Sequence, residues 1–229
     1  MRVLPLLLVP GAVWAAYTCG AHLLTLGALR RGPATRRRLA LTFDDGPDPA
    51  NTPRVLETLR EFGARGTFFL VGKRAARAAD LVRAMLAEGH EVGNHTWSHR
   101  NLWSCGPRAT EREMVACHRL LEELTGRPPR WFRPPWGMVN LAMFGVARRL
   151  GARCVLWSIQ PEGLRPVAPE RLAARVLARV RPGAIVDLHD APGVPGAPER
   201  LLAALPAMLS GLQAQGYELV SLGSLLSEP

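Results

Sequence analysis

Between residues 39 and 222 short apolar runs alternate with longer amphipathic stretches, and this alternation limits the possible folds more than any other feature of the chain. The runs fall at 39–43, 67–71, 91–94, 131–133, 155–158, 184–189 and 218–222, and helical periodicity fills 54–62, 75–88, 108–124, 141–150, 169–180 and 198–213. Each run is too short for a helix, and each stretch between is long enough for one. Strand and helix in alternation build a parallel sheet with helices outside it. Seven such units in 229 residues fit a closed or nearly closed α/β barrel better than an open doubly wound sheet. No glycine-rich phosphate fingerprint follows the first run. Two adjacent acids follow it instead.

Catalytic side chains in such barrels sit at the strand ends. Those ends hold Asp44, Asp45, His95, His99, Arg133, Trp136 and His189. The segment Thr42-Phe43-Asp44-Asp45-Gly46-Pro47 stops its strand with a Gly-Pro turn and leaves two carboxylates at the mouth. Taken alone, that pair also reads as a solvated turn with capping aspartates. His95-Thr96-Trp97-Ser98-His99 sets two imidazoles four residues apart, so both can face one metal. One carboxylate added to them makes two nitrogens and an oxygen, a donor set that leaves positions open for chemistry. Zinc is the default ion, and cobalt, nickel or manganese tolerate the same ligands. Water activated by such an ion needs a base beside it and an acid at the leaving group. The other carboxylate of the pair serves as the base and His189 as the acid. Arg133 orients the base, and the backbone of the 134–137 turn helps hold the oxyanion. His90 and His118 lack such company and read as structural.

Charge tests whether the target is a nucleic acid. The net charge is +10, but residues 1–38 carry six arginines and no acid, leaving 23 basic against 19 acidic residues beyond them. A body near +4 with no basic stripe among aromatics does not describe a nucleic-acid binder. The charge belongs to the N-terminal segment. There, residues 4–29 carry no formal charge and are long enough to cross a hydrocarbon core as a helix. An uncleaved membrane anchor is the favoured reading, a signal peptide cleaved after Ala15 the competing one, and a buried domain helix the third. Domains are therefore drawn as 1–38, anchor and basic linker, and 39–229, catalytic. The arginines after the span place that flank inside by the positive-inside rule, against an extracytoplasmic catalytic domain. The four cysteines have no metal-ligand spacing and read as free thiols, with a Cys105–Cys117 bridge the alternative.

Together TFDDGP at 42–47, HTWSH at 95–99, RPPWG at 133–137 and LHD at 188–190 resemble the polysaccharide deacetylase family, also called the NodB-homology or carbohydrate esterase family 4 domain. The resemblance spans about 39–222 and implies a distorted seven-stranded barrel that deacetylates N-acetylglucosamine polymers, with xylan esterases as rarer relatives. It assigns Asp44 as base, Asp45, His95 and His99 as metal ligands, Arg133 as the arginine that tunes the base and His189 as general acid. Pro135, Trp136 and Trp157 are assigned to substrate contact, with Trp136 in place of a usual tyrosine. Peptidoglycan is the first expected polymer and chitin oligomers the second. A monomer that uses one divalent ion is expected. A catalytically dead carbohydrate-binding domain and an O-acetyl esterase are the alternatives.

One motif departs from the pattern. The family follows its Trp-Ser strand with an Asp-Trp pair that supports the acid histidine, and this chain has Gly163 and Leu164 there. Two acids can substitute. Glu162 is one residue early and is equally readable as a surface acid. Asp187 lies two residues before His189 on one strand, so both side chains share a face. The sequence therefore points to Asp187 as the relocated partner of His189.

Overall fold

The computed structural model describes residues 11–21, 27–162, 166–193 and 195–227. Seven strands are present there: β1 (Arg38–Asp44), β2 (Gly66–Leu70), β3 (Glu91–Asn94), β4 (Trp131–Phe132), β5 (Arg153–Cys154), β6 (Ala184–His189) and β7 (Glu218–Val220). They form one sheet in the order β5-β4-β3-β2-β1-β6, with β7 also on β1, and every pairing is parallel. Strand β1 is the axis of the sheet. One edge pairs with β6 along its whole length, and the other is shared by β7 at Arg38–Ala40 and β2 at Leu41–Asp44. With both edges and both faces covered, Leu39, Ala40, Leu41 and Phe43 are fully buried, which is why the run is apolar throughout rather than alternating.

The far side closes with less regular structure. After β5 the chain turns away from β4, and Ser158 and Ile159 donate their amides to Ile185 O at 3.0 and 3.2 Å. Asp187 N donates back to Ile159 O at 2.9 Å. A parallel sheet thus curls into an incomplete barrel, completed through the Ile159–Val186 bridge. The expected fifth strand at 155–158 is displaced for this reason: its ladder with β4 is Arg153–Cys154, Val155 adds one amide bond to Phe132 O, and Leu156 turns to Leu29.

Helices α1 (Thr52–Glu61), α2 (Gly72–Arg77), α3 (Ala79–Ala87), α4 (Pro107–Thr125), α5 (Leu141–Arg149), α6 (Pro169–Arg179), α7 (Ala197–Ala214) and α8 (Leu222–Leu226) surround the sheet. The single helix expected at 75–88 is two, broken at Ala78 (φ −135°, ψ 46°). Helix α4 ends at Gly126 in the left-handed region, where a glycine has no Cβ to strain. Helix α7 buries Leu201, Leu205, Met208, Leu209 and Leu212 completely against the body, each contributing about 1.5–3 kcal/mol. All four cysteines are free thiols.

The N-terminal segment meets the body before residue 39. Leu29 N donates to Cys154 O at 2.9 Å, Leu156 N to Leu29 O at 2.7 Å, and Gly32 N to Gly183 O at 2.8 Å. The boundary drawn at residue 38 cuts through these contacts. Residues 11–21 are helical, with a π-helical stretch at Ala16–Gly20. Thr18 and Ala21 are buried, and Tyr17 Oη donates to Cys105 O at 3.2 Å. Much of the apolar stretch, residues 4–10 and 22–26, lies outside the described residues. Among the described residues no helix is long and apolar enough to cross a membrane.

Candidate active site

The parallel register brings three strand ends together. Asp44 is the Cα partner of Phe69 on β2 and of His189 on β6, so the Asp44 and His189 side chains stand side by side on adjacent strands. Asp45 then turns away at φ +74°, which sends the two adjacent carboxylates in different directions. Such a φ is uncommon for a non-glycine residue and is held here by its surroundings. Arg74 of α2 donates to Asp45 O at 2.6 Å and to Pro192 O at 2.7 Å. Space around the turn is fully used. A Cβ on Gly46 would lie 2.7 Å from Asp190 Oδ2, and one on Gly193 would lie 1.7 Å from Asp45 Oδ2.

The His95–His99 loop is also strained, with Thr96 at φ +67° and His99 at φ +58°. Neighbouring polar groups fix it. Thr96 N donates to Asn94 Oδ1 at 2.8 Å, Asn94 Nδ2 to Met114 O at 2.8 Å, and Ser98 N and Oγ to Glu113 at 2.8 and 2.7 Å. His95 Nδ1 sits 2.8 Å from Arg133 O, which turns Nε2 toward the mouth. The result is a three-donor cluster. Asp45 Oδ1 lies 2.8 Å from His99 Nε2 and 3.5 Å from His95 Nε2.

That cluster fits a divalent cation. Asp45 Oδ1 is buried and accepts no hydrogen bond of acceptable geometry, an expensive state unless something else satisfies it. Burial would raise the Asp45 pKa, but His95 and His99 outweigh it and hold the carboxyl well below its usual range. Asp45, His95 and His99 are the residues that would hold the ion, with two nitrogens and one oxygen as in open zinc sites.

Asp44 has a different set of partners. Its Oδ1 accepts from Arg133 Nη1 at 2.7 Å, and its Oδ2 is 3.7 Å from His95 Nε2. Arg133 is completely buried and its guanidinium lies 4.2 Å over the Phe69 ring. Nη1 also donates to Thr42 Oγ1 at 2.8 Å and Asp187 Oδ1 at 3.1 Å, while Nη2 and Nε reach Leu156 O and Val155 O at 3.1 and 3.3 Å. One buried cation therefore holds two carboxylates and two strands.

The partner of His189 corrects the sequence reading. Asp187 does share its strand face, but its carboxylate is taken by Arg133. The oxygen 2.5 Å from His189 Nδ1 is Glu162 Oε2, and Glu162 is buried. The segment after β5 crosses to β6, and this crossing carries Glu162 inward. Burial would lower the His189 pKa, but the Glu162 hydrogen bond and the charges of Asp187 and Asp44 outweigh it, and the value rises to about 10. Burial and the Asp44 charge push the Asp187 carboxyl above its ordinary range. Gly163 and Leu164 lie outside the described residues.

Asp44, Asp45, His95, His99, Glu162, Asp187 and His189 line a cavity of about 440 Å³ with Trp136, Trp157, Gln160, Gly193 and Pro195. Trp136 is 53% exposed, stands at φ +55° and packs 4.3 Å from the His99 ring. Pro135 is buried within this turn and does not line the cavity. Sequence reasoning overlooked Arg74, Glu113 and Asp190. Asp190 is completely buried and accepts from Thr52 Oγ1, and burial pushes its pKa up to about 7. Of the three, only Asp190 had a signal, its place in the LHD run. His90 is structural as read: its Nδ1 accepts from Gly66 N at 3.1 Å, and burial pushes its pKa down to about 4.

Residues 31–155 match the family described as polysaccharide deacetylase. A peptidoglycan-N-acetylglucosamine deacetylase of Bacillus cereus is 37% identical over 198 residues, covering 85% of this chain and 90% of its own. A chitooligosaccharide deacetylase of Bradyrhizobium is 36% identical over 200 residues, covering 82% and 90%. The crystal structure of a peptidoglycan N-acetylglucosamine deacetylase superposes with a TM-score of 0.83 at 28% identity, covering 91% of this chain and 97% of that one. By the family match and the identity of these relatives, the chain belongs to the polysaccharide deacetylase family.

Proposed function

We propose that the protein hydrolyses the acetamido group of N-acetylglucosamine units in a polysaccharide, peptidoglycan first, and releases acetate. The observation that carries this reading is the division of labour between two adjacent carboxylates. Asp45 faces two imidazoles, while Asp44 is held by a buried arginine opposite a histidine that has its own carboxylate. When bound by Asp45, His95 and His99, a divalent ion, zinc by preference, supplies Lewis acidity toward the acetyl oxygen. Asp44 keeps Oδ1 on Arg133 and offers Oδ2 to the cavity, where it accepts a proton from the attacking water. His189 holds Nδ1 on Glu162, which leaves Nε2 to donate its proton to the sugar nitrogen as the C–N bond breaks. The water oxygen ends on acetate, and the amine leaves neutral. Trp136 and Trp157 form the walls against which the sugar face packs.

The names of the relatives support both peptidoglycan and chitin oligomers as substrates. We further propose a monomer held at the membrane by its N-terminal apolar segment, with the catalytic body outside. Acetate release from peptidoglycan, chitin oligomers and acetylxylan, with and without chelator, tests the activity. The expected result is chelator-sensitive release from the two amide polymers. Release from acetylxylan alone would overturn the N-deacetylase reading.

A further inference from the structure

A second cavity, of about 240 Å³, adjoins the catalytic one and shares Trp136 and Trp157 with it. Its other lining residues are Gly137, Met138, Leu156 and Arg30. The floor is apolar and aromatic. A Cβ on Gly137 would lie 2.9 Å from the Trp157 ring, so the two pack closely and fix that wall. Among the described residues, the only formal charge on the lining is Arg30. It belongs to the N-terminal segment, outside the motifs that carry the catalytic chemistry.

Arg30 is placed by backbone rather than left on a loose tail. Its neighbour Leu29 is bonded on both sides, to Cys154 O at 2.9 Å and from Leu156 N at 2.7 Å. The side chain is exposed and has no acidic partner among the described residues. The catalytic cavity, by contrast, is lined by Asp44, Asp45, Glu162 and Asp187. An anionic substituent on the reacting sugar would meet those carboxylates. On the neighbouring sugar, across the tryptophans, it would meet a guanidinium, whose planar fork pairs with a carboxylate in two-point fashion.

Resting on the deacetylase reading above, we propose that this second cavity is a subsite for a carboxylate-bearing sugar next to the acetamido sugar under attack, with Arg30 as its specificity-determining residue. The preferred polymer is thus one in which neutral N-acetyl sugars alternate with acidic ones.

Two oligosaccharide series of equal length test this on the full-length, metal-loaded protein. One is a neutral N-acetylglucosamine oligomer; in the other, every second sugar carries a carboxylate. Wild type, Arg30→Ala and Arg30→Lys are compared by the ratio of kcat/KM on the acidic series to that on the neutral one. Arg30→Ala should lower that ratio about tenfold, mainly through KM, the scale of one charge-assisted hydrogen bond. Arg30→Lys should recover part of the loss, and added salt should lower the wild-type ratio but not that of Arg30→Ala. An unchanged ratio in Arg30→Ala, or a salt response equal to wild type, would overturn the subsite while leaving the deacetylase reading intact. No acetate release by wild type from either series would overturn both.

Discussion

The metal half and the acid half of the mouth are built on opposite plans. Asp45, His95 and His99 stand on two loops with left-handed backbone at three non-glycine positions, each pinned by polar contacts from α2 or α4. The acid half sits on regular β6, and what it needs is brought from 27 residues earlier by Glu162. The metal half depends on tightly fixed backbone geometry, so its ligands arrive as contiguous words. The acid half depends on one charge near one nitrogen, and any element that reaches that nitrogen can supply it. The difference teaches that a motif is rigid where it must set directions and replaceable where it must only set a potential.

The largest expected effect breaks the metal half. Asp45→Ala, His95→Ala or His99→Ala should each lower activity about 1000-fold and metal occupancy with it, measured by acetate release and metal analysis. Asp44→Asn should cost a similar factor, about 10²–10⁴, with metal retained, because its carboxylate faces Arg133 instead. Equal loss of metal in Asp44→Asn would erase the distinction between the two acids.

The acid half should respond more gently and through pH. Glu162→Gln should lower kcat about 10–100-fold, the usual scale for a support to a working imidazole. Glu162 raises the His189 pKa, so its loss lowers that pKa, and activity should fail at a lower pH on the alkaline side. His189 should also shape stability. Its folded pKa, about 10, exceeds its ordinary value, so its contribution is complete below about 6.5 and is lost as pH rises through 10. In Glu162→Gln the loss should begin at lower pH, which thermal melts across pH 6–10 would detect.

The smallest effect concerns the N-terminal seam. A chain beginning at residue 36 keeps β1 whole but lacks the Leu29 and Gly32 bonds, and should be about 2–3 kcal/mol less stable than one beginning at 27, at about 1 kcal/mol per bond. That is about 5–10 °C in Tm for a domain of this size. Equal melting temperatures would leave residues 27–35 as a linker only.

Much of this was legible before any coordinates. Seven strand units stood out because buried parallel strands are continuously apolar, as β1 is. Asp45, His95, His99, Asp44, Arg133 and His189 meet in one cavity or its wall because each ends a strand of that sheet or lies on the loop that follows one. What misled was Asp187. Alternation correctly placed it on the face of His189, but sequence does not say which cation reaches a carboxylate first, and Arg133 comes from a different strand. Glu162 reads equally as a surface acid because nothing local shows that residues 158–159 bond β6. The Ala78 break in the 75–88 periodicity was hidden similarly, since the apolar spacing continues across it.

The most direct test is the alkaline limb of kcat for Glu162→Gln and Asp187→Asn, measured on one N-acetylglucosamine oligomer. The account predicts that Glu162→Gln moves this limb down by at least one pH unit, about 1.4 kcal/mol of lost support for the imidazolium. Asp187→Asn keeps an oxygen for Arg133 and removes only a through-space charge from His189, so it should lower the limb by less than Glu162→Gln does, with less than a tenfold loss of rate. A large downward shift in Asp187→Asn with an unmoved limb in Glu162→Gln would contradict the assignment of Glu162 as the carboxylate that holds the acid.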